Sequence, residues 1–84
     1  MNPRVTAVTA LDGHALLLQF NNGERRRLDV RPYLAYAVFE RLRDPGFFGL
    51  VQPDHGTVSW PGGIDLDPDS VYLESVPVTQ GAPA

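Results

Sequence analysis

The stretch from His14 to Val30 constrains the fold of this chain more than any other. From His14 to Phe20 the residues read as a strand that places Leu16, Leu18 and Phe20 on one face. Asn21-Asn22-Gly23 is a turn sequence, and Glu24 to Val30 reads as the returning strand. The register of this hairpin can be argued. A two-residue loop at Asn22-Gly23 sets Leu16, Leu18 and Phe20 against Asp29, Arg27 and Arg25, apolar against charged. A three-residue loop sets Leu16 opposite Leu28 and His14 opposite Val30. A slip of one residue turns every side chain to the other face, so the buried face selects the three-residue loop, with Gly23 in the left-handed region of a bulge. Arg26 then falls on the apolar face near the tip, where its stem is expected along the core and its charge in water.

The other elements are placed around this hairpin. Residues 4–11 form a β-branched strand that ends at Asp12-Gly13. Pro32 suits the first turn of a helix, and Leu34, Val38 and Leu42 recur at helical spacing, with Tyr33 and Phe39 widening the stripe. That helix ends before Asp44-Pro45, where Asp44 caps a short second turn carrying Phe47 and Phe48. Leu50 to Gln52 and Thr57 to Trp60 read as a second hairpin across Pro53-Asp54-His55-Gly56, with Val51 opposite Val58. Ile64-Asp65-Leu66 is a short extended piece, and Asp67-Pro68 starts a last helix over about residues 68–74. The expected core joins Leu16, Leu18, Leu28, Val38, Leu42, Val58 and Trp60. The reading is one α+β domain over residues 3–78. It holds a small antiparallel sheet of two hairpins plus an N-terminal strand, packed with two or three short helices. Residues 79–84 are expected to form a disordered tail.

Composition narrows what such a domain can do. With 84 residues the chain makes one domain, which buries only about 60–65% of the surface its unfolded form exposes, so a deep substrate cavity is not expected. The chain contains no cysteine, which rules out disulfides and thiolate metal sites and fits a reducing cytoplasm. A net charge of −3 argues against nucleic acid as the main partner. The start Met1-Asn2-Pro3-Arg4 lacks the apolar stretch of a signal peptide, and no apolar run reaches membrane-spanning length, so a cytoplasmic location is expected.

Each chemical motif has a plainer explanation beside it. Asp65-Leu66-Asp67-Pro68-Asp69 alternates carboxylates as a calcium loop does. Counted from Asp65, however, the sixth residue is Ser70 rather than glycine and the twelfth is Val76 rather than glutamate. Asp67 reads instead as a helix cap, with Asp69 near the positive helix end, and neither metal nor cofactor is expected. His14 and His55 are candidate acid–base groups, but no nucleophile is patterned with either. In Arg25-Arg26-Arg27 alternate arginines point to opposite faces, so the run guards a hairpin rather than forming one basic patch. Trp60-Pro61-Gly62-Gly63 places a tryptophan at a strand end, where it fills the core edge or anchors a partner.

Several of these segments together carry a family resemblance. Pro3-Arg4-Val5, Leu11-Asp12, Leu16 to Phe20 followed by Asn22-Gly23-Glu24, and Asp29-Val30 with Leu34 form the first part. Val38-Phe39 and Leu42-Arg43-Asp44-Pro45 with Phe48 follow, and Val58 to Asp69 with Tyr72 is the most specific part. The chain resembles, over about residues 3–76, the small and mostly bacterial family called domain of unknown function 2442 (DUF2442). Gly62 stands where asparagine is more usual. The resemblance implies an α+β fold with one antiparallel sheet and short helices. It implies no activity and no functional residues. Some relatives carry a helix-turn-helix domain after this one, and others stand beside a second small protein in an arrangement like a toxin–antitoxin pair. With the chain ending at Ala84, DNA contact through such a fused domain is not expected.

The leading functional expectation is a non-enzymatic interaction module, antitoxin-like or regulatory. Its partner would be another protein chain, a second copy or a co-encoded small protein. Tyr36, Trp60 and Tyr72 are the candidate interaction surface. The first strand, from Val5 to Ala10, is the candidate open edge because it carries no charge. A small nuclease using His14 or His55 is one alternative. A ligand sensor with Tyr33, Tyr36, Phe39 and Trp60 lining a shallow pocket is the other.

Overall fold

The computed structural model describes residues 2–78; the tail expectation for 79–84 lies outside them. Strands β1 (Val5–Leu11), β2 (Ala15–Phe20) and β3 (Arg25–Asp29) come first. Two 3-10 helices, Arg31–Ala35 and Ala37–Arg43, and the α-helix α1 (Pro45–Phe48) follow. Strands β4 (Gln52–Asp54), β5 (Thr57–Trp60) and β6 (Ile64–Asp65), helix α2 (Pro68–Glu74) and strand β7 (Val76–Pro77) complete the chain. The α+β class and the antiparallel hairpins are as expected. The strands divide between two sheets rather than joining in one: four strands in the order β1-β2-β3-β7, and three in the order β4-β5-β6.

The β2–β3 hairpin has the register that core burial selects. Leu16 pairs with Leu28 and Leu18 with Arg26, and Gly23 has φ +89°. His14 lies just outside β2, in the turn, with φ +58°. Leu16, Leu18, Phe20 and Leu28 are buried on the inner face with Val30, Leu42, Phe48, Val58 and Trp60. Contrary to the sequence expectation, the charge of Arg26 does not reach water; its side chain is only 12% exposed. The guanidinium donates to Ser75 Oγ (2.7 Å), to the carbonyls of Ser75 (2.6 Å) and Tyr72 (3.2 Å) and to Glu24 Oε2 (3.0 Å). It also lies 4.3 Å over the Tyr72 ring. The carbonyls left open where α2 ends supply the acceptors that water was expected to supply.

Val38 corrects the expected core: it is 67% exposed. The segment after Pro32 is not one α-helix. Tyr36, with φ −92° and ψ +137°, interrupts it, and both pieces wind as 3-10 helices. Three residues per turn bring i and i+3 onto one line, so Phe39 and Leu42 face inward and the i, i+4 stripe through Val38 does not. Arg43 ties the pieces together, donating from Nε and Nη2 to the carbonyl of Leu34 at 3.0 and 2.8 Å.

The second hairpin is also re-registered. Pro53, not Val51, lies opposite Val58. Only His55 and Gly56 form the turn, both left-handed at φ +49° and +82°, so pairing begins at Asp54 and Thr57. The shift is two residues, so Val51 keeps its side of the strand and remains half-buried against the core. Asp44 and Asp67 cap α1 and α2, accepting from Phe47 N and Ser70 N at 2.9 Å each. Trp60 is 2% exposed, and its Nε1–H donates to the carbonyl of Phe48 at 2.8 Å. No helix of the described residues is long and apolar enough to cross a membrane.

Candidate functional site

The two histidines stand at opposite ends of β1. Val5 N–H bonds the carbonyl of Gly56, next to His55, whereas His14 follows the far end of the strand. Seven strand residues separate those ends by about 20 Å, so the two rings do not form one site. The His55 side chain is 94% exposed and pairs with Asp54 alone, at 2.5 Å. His14 is more enclosed. Its ring lies 5.0 Å from that of Phe48, and its Nε2–H donates to the carbonyl of Arg43 at 3.1 Å. A carbonyl only accepts, so Nε2 carries the proton and neutral His14 keeps Nδ1 as its acceptor. Among the described residues neither ring is bonded to a serine, and the acid bonded to either is Asp54, beside His55.

His14 does border an open groove of about 390 Å³. One wall is the end of β1 and its turn, including Ala10, Asp12 and His14; the other is α1 with Pro45, Phe48 and Gly49. The backbone of β1 matters here. Phe20 N–H bonds Glu24 O and Val30 N–H bonds His14 O, so the even residues of β2 face β3. Gln19, Leu17 and Ala15 therefore face β1, where they pair with Ala7, Thr9 and Leu11. Val8 and Ala10 then direct their N–H and C=O groups away from the sheet. β4 lies beside β1, but the backbone bond between the two segments is Val5 to Gly56, and no described backbone group bonds Val8 or Ala10 on that side.

The opposite edge is closed to a similar approach. Val78 N–H bonds Arg25 O, so Val76 and Val78 face β3 and Pro77 faces outward. Proline has no N–H to offer a further strand.

Of the three residues expected to form an interaction surface, Tyr36 is exposed, at 63%. Trp60 is in the core and presents no face to a partner. Tyr72 is half-buried, edge-on to Phe20, and its hydroxyl donates to Glu24 Oε1 at 2.6 Å. That hydrogen bond is the leading cause that holds the Glu24 carboxyl below its usual value; bonds from Asn22 and Arg26 add to it. The structure does not bring the three together. Nor do Tyr33, Tyr36, Phe39 and Trp60 line one pocket. Tyr33 and Tyr36 border a small notch with Pro32 and Glu74, Phe39 packs edge-on against Tyr33, and Trp60 lies against Phe48. Sequence reasoning missed Glu74, because nothing in its own residue type marks it and it acquires meaning from Tyr33, distant in the chain; Ala10 falls within the edge strand that the sequence did single out.

Asp65, Asp67 and Asp69 are not assembled around a point. Asp67 accepts from Ser70 N–H and Oγ–H, and Asp69 accepts from Asn2 at 3.2 Å. Among the described residues no group of three His, Cys, Asp or Glu side chains is placed to hold a metal ion.

Comparison with known proteins rests on one match. No curated protein and no solved structure matches the chain. A family model does, described as a protein of unknown function and spanning residues 5–77, which covers both sheets and all the helices above. The chain belongs to the DUF2442 family.

Proposed function

We propose that this protein is a non-enzymatic interaction module that takes an extended segment of another protein chain along the outer edge of β1. The observation that carries the reading is the outward N–H and C=O of Ala10, at the border of the groove. An uncharged edge strand of this kind is a template for strand addition. The groove beyond it gives a side chain of the added strand a place to sit. The partner is a second copy or a small co-encoded protein, in an antitoxin-like or regulatory pairing. Such a pairing in the cytoplasm of a bacterium fits a cysteine-free domain.

Ala10→Pro tests this directly. Proline is tolerated on an edge strand where the lost N–H faces outward, so the β1–β2 ladder should survive. Light scattering over a concentration series, and titration with the purified co-encoded protein, should show association weakened by about tenfold or more, the loss of one well-made hydrogen bond and its geometry. Thr6→Lys, an exposed position on the same strand, should weaken it less. A strictly monomeric protein that ignores its co-encoded neighbour, or one that cleaves RNA until His55→Ala stops it, would sink the reading.

A further inference from the structure

We propose that the notch lined by Pro32, Tyr33, Tyr36 and Glu74 binds the guanidinium of an arginine side chain presented by another chain. It lies by the end of α2, next to β7, at the opposite side of the four-stranded sheet from β1, so it is independent of the strand-edge site. Tyr36 stands at the break between the two 3-10 helices, and its extended conformation turns the ring outward. Its N–H is held by the carbonyl of Tyr33 at 3.1 Å, so the ring is presented from a fixed backbone. The Tyr33 ring is held edge-on by Phe39, and its hydroxyl donates to Glu74 Oε1 at 2.5 Å. That bond holds the carboxylate at the notch and leaves Oε2 with no partner among the described residues.

The local field suits a cation. The Tyr33 hydroxyl is pushed well above its usual value, first by burial, then by Glu74, with Asp67 adding to the effect. The Glu74 carboxylate lines the notch, and no described arginine pairs with it. A guanidinium meets both surfaces at once: its plane stacks on an exposed tyrosine while its edge donates to a carboxylate oxygen. A notch of about 180 Å³ holds such a head group and its last methylenes, and is small for a larger ligand.

The test is a nitrogen–proton NMR titration of the full chain with N-acetyl-arginine amide. The lysine analogue and the neutral, near-isosteric citrulline analogue are run beside it. Arginine should give saturable shifts centred on Tyr36 and Glu74, and citrulline should bind at least about tenfold more weakly, the value of a charge-assisted bond. Glu74→Gln should bring arginine down to the citrulline level. Tyr36→Ala should weaken arginine without lowering the melting temperature, because the ring is exposed, so a folded control exists even if Glu74→Gln destabilises the chain. Equal binding of citrulline or lysine, shifts centred elsewhere, or binding unchanged in Tyr36→Ala would each overturn the proposal.

Discussion

Arg26 shows how far one side chain departs from its neighbours' rules. Arg25 and Arg27 flank it on the outer face, exposed, while Arg26 enters the protein and gathers the end of α2 with the tip of the hairpin. A buried charge is tolerated only when paired and fully hydrogen-bonded, and its donors meet Ser75, Tyr72 and Glu24. Glu24 is the titratable member of this set. Its folded value lies below the usual 4.5, so its contribution is present above that value and is lost as the pH falls through the lower, folded one. The melting temperature should therefore drop on acidification below about pH 4.5, and Glu24→Gln should make the drop shallower. Asp29, lowered by Arg31, keeps part of it in the variant. Thermal scans over a pH series check this, and parallel curves for the two proteins would show that Glu24 carries none of the effect.

At the scale of elements, the segment from Arg31 to Arg43 is the instructive case. Its sequence is compatible with a helix, and a residue count alone favours the α period. The structure takes the tighter one because Tyr36 leaves the helical region and Arg43 returns to cap Leu34. Val38 and Leu42 then separate cleanly. Val38→Ala should change stability by no more than about 0.5 kcal/mol, as an exposed position does. Leu42→Ala should cost about 2–5 kcal/mol, as a fully buried leucine does. Urea denaturation of both variants decides it; similar midpoints would restore the α-helical stripe.

At the scale of the whole molecule, the two sheets are joined by few directional contacts. Val5 to Gly56 is one; an indirect link runs through the indole of Trp60, which reaches from β5 to the carbonyl where α1 ends. The Phe48 ring makes tilted contacts with both His14, at 5.0 Å, and this indole, at 5.8 Å, so α1 couples β5 to the β1–β2 turn. Trp60→Phe keeps most of the apolar volume but removes the donor to Phe48. A loss of about 1–3 kcal/mol is expected from the unsatisfied carbonyl, more than burial difference alone supplies. The variant should also broaden or shift the NMR signals of His14, because its neighbour Phe48 loses an anchor. A variant as stable as the parent would mean that the sheets are held by packing alone.

Local rules were sufficient wherever the deciding interaction lay within a few residues. The Gly23 bulge, the Asp44 and Asp67 caps and the start of α2 at Pro68 are of this kind, because a turn or a cap is closed by its own neighbours. The pairing of Leu16 with Leu28 was legible too, since a one-residue slip would have buried three charges. Tertiary structure alone decided what depends on groups far apart in sequence. Arg26 is buried because α2 offers its carbonyls, and the expected single sheet divides because β5 and β6 pair with each other instead of joining β1. Glu74 matters only because Tyr33 comes to rest against it, and Ala10 gains its groove only because α1 lies across from the end of β1. Residue types specify which groups need a partner; the distance along the chain at which that partner is found is settled by packing.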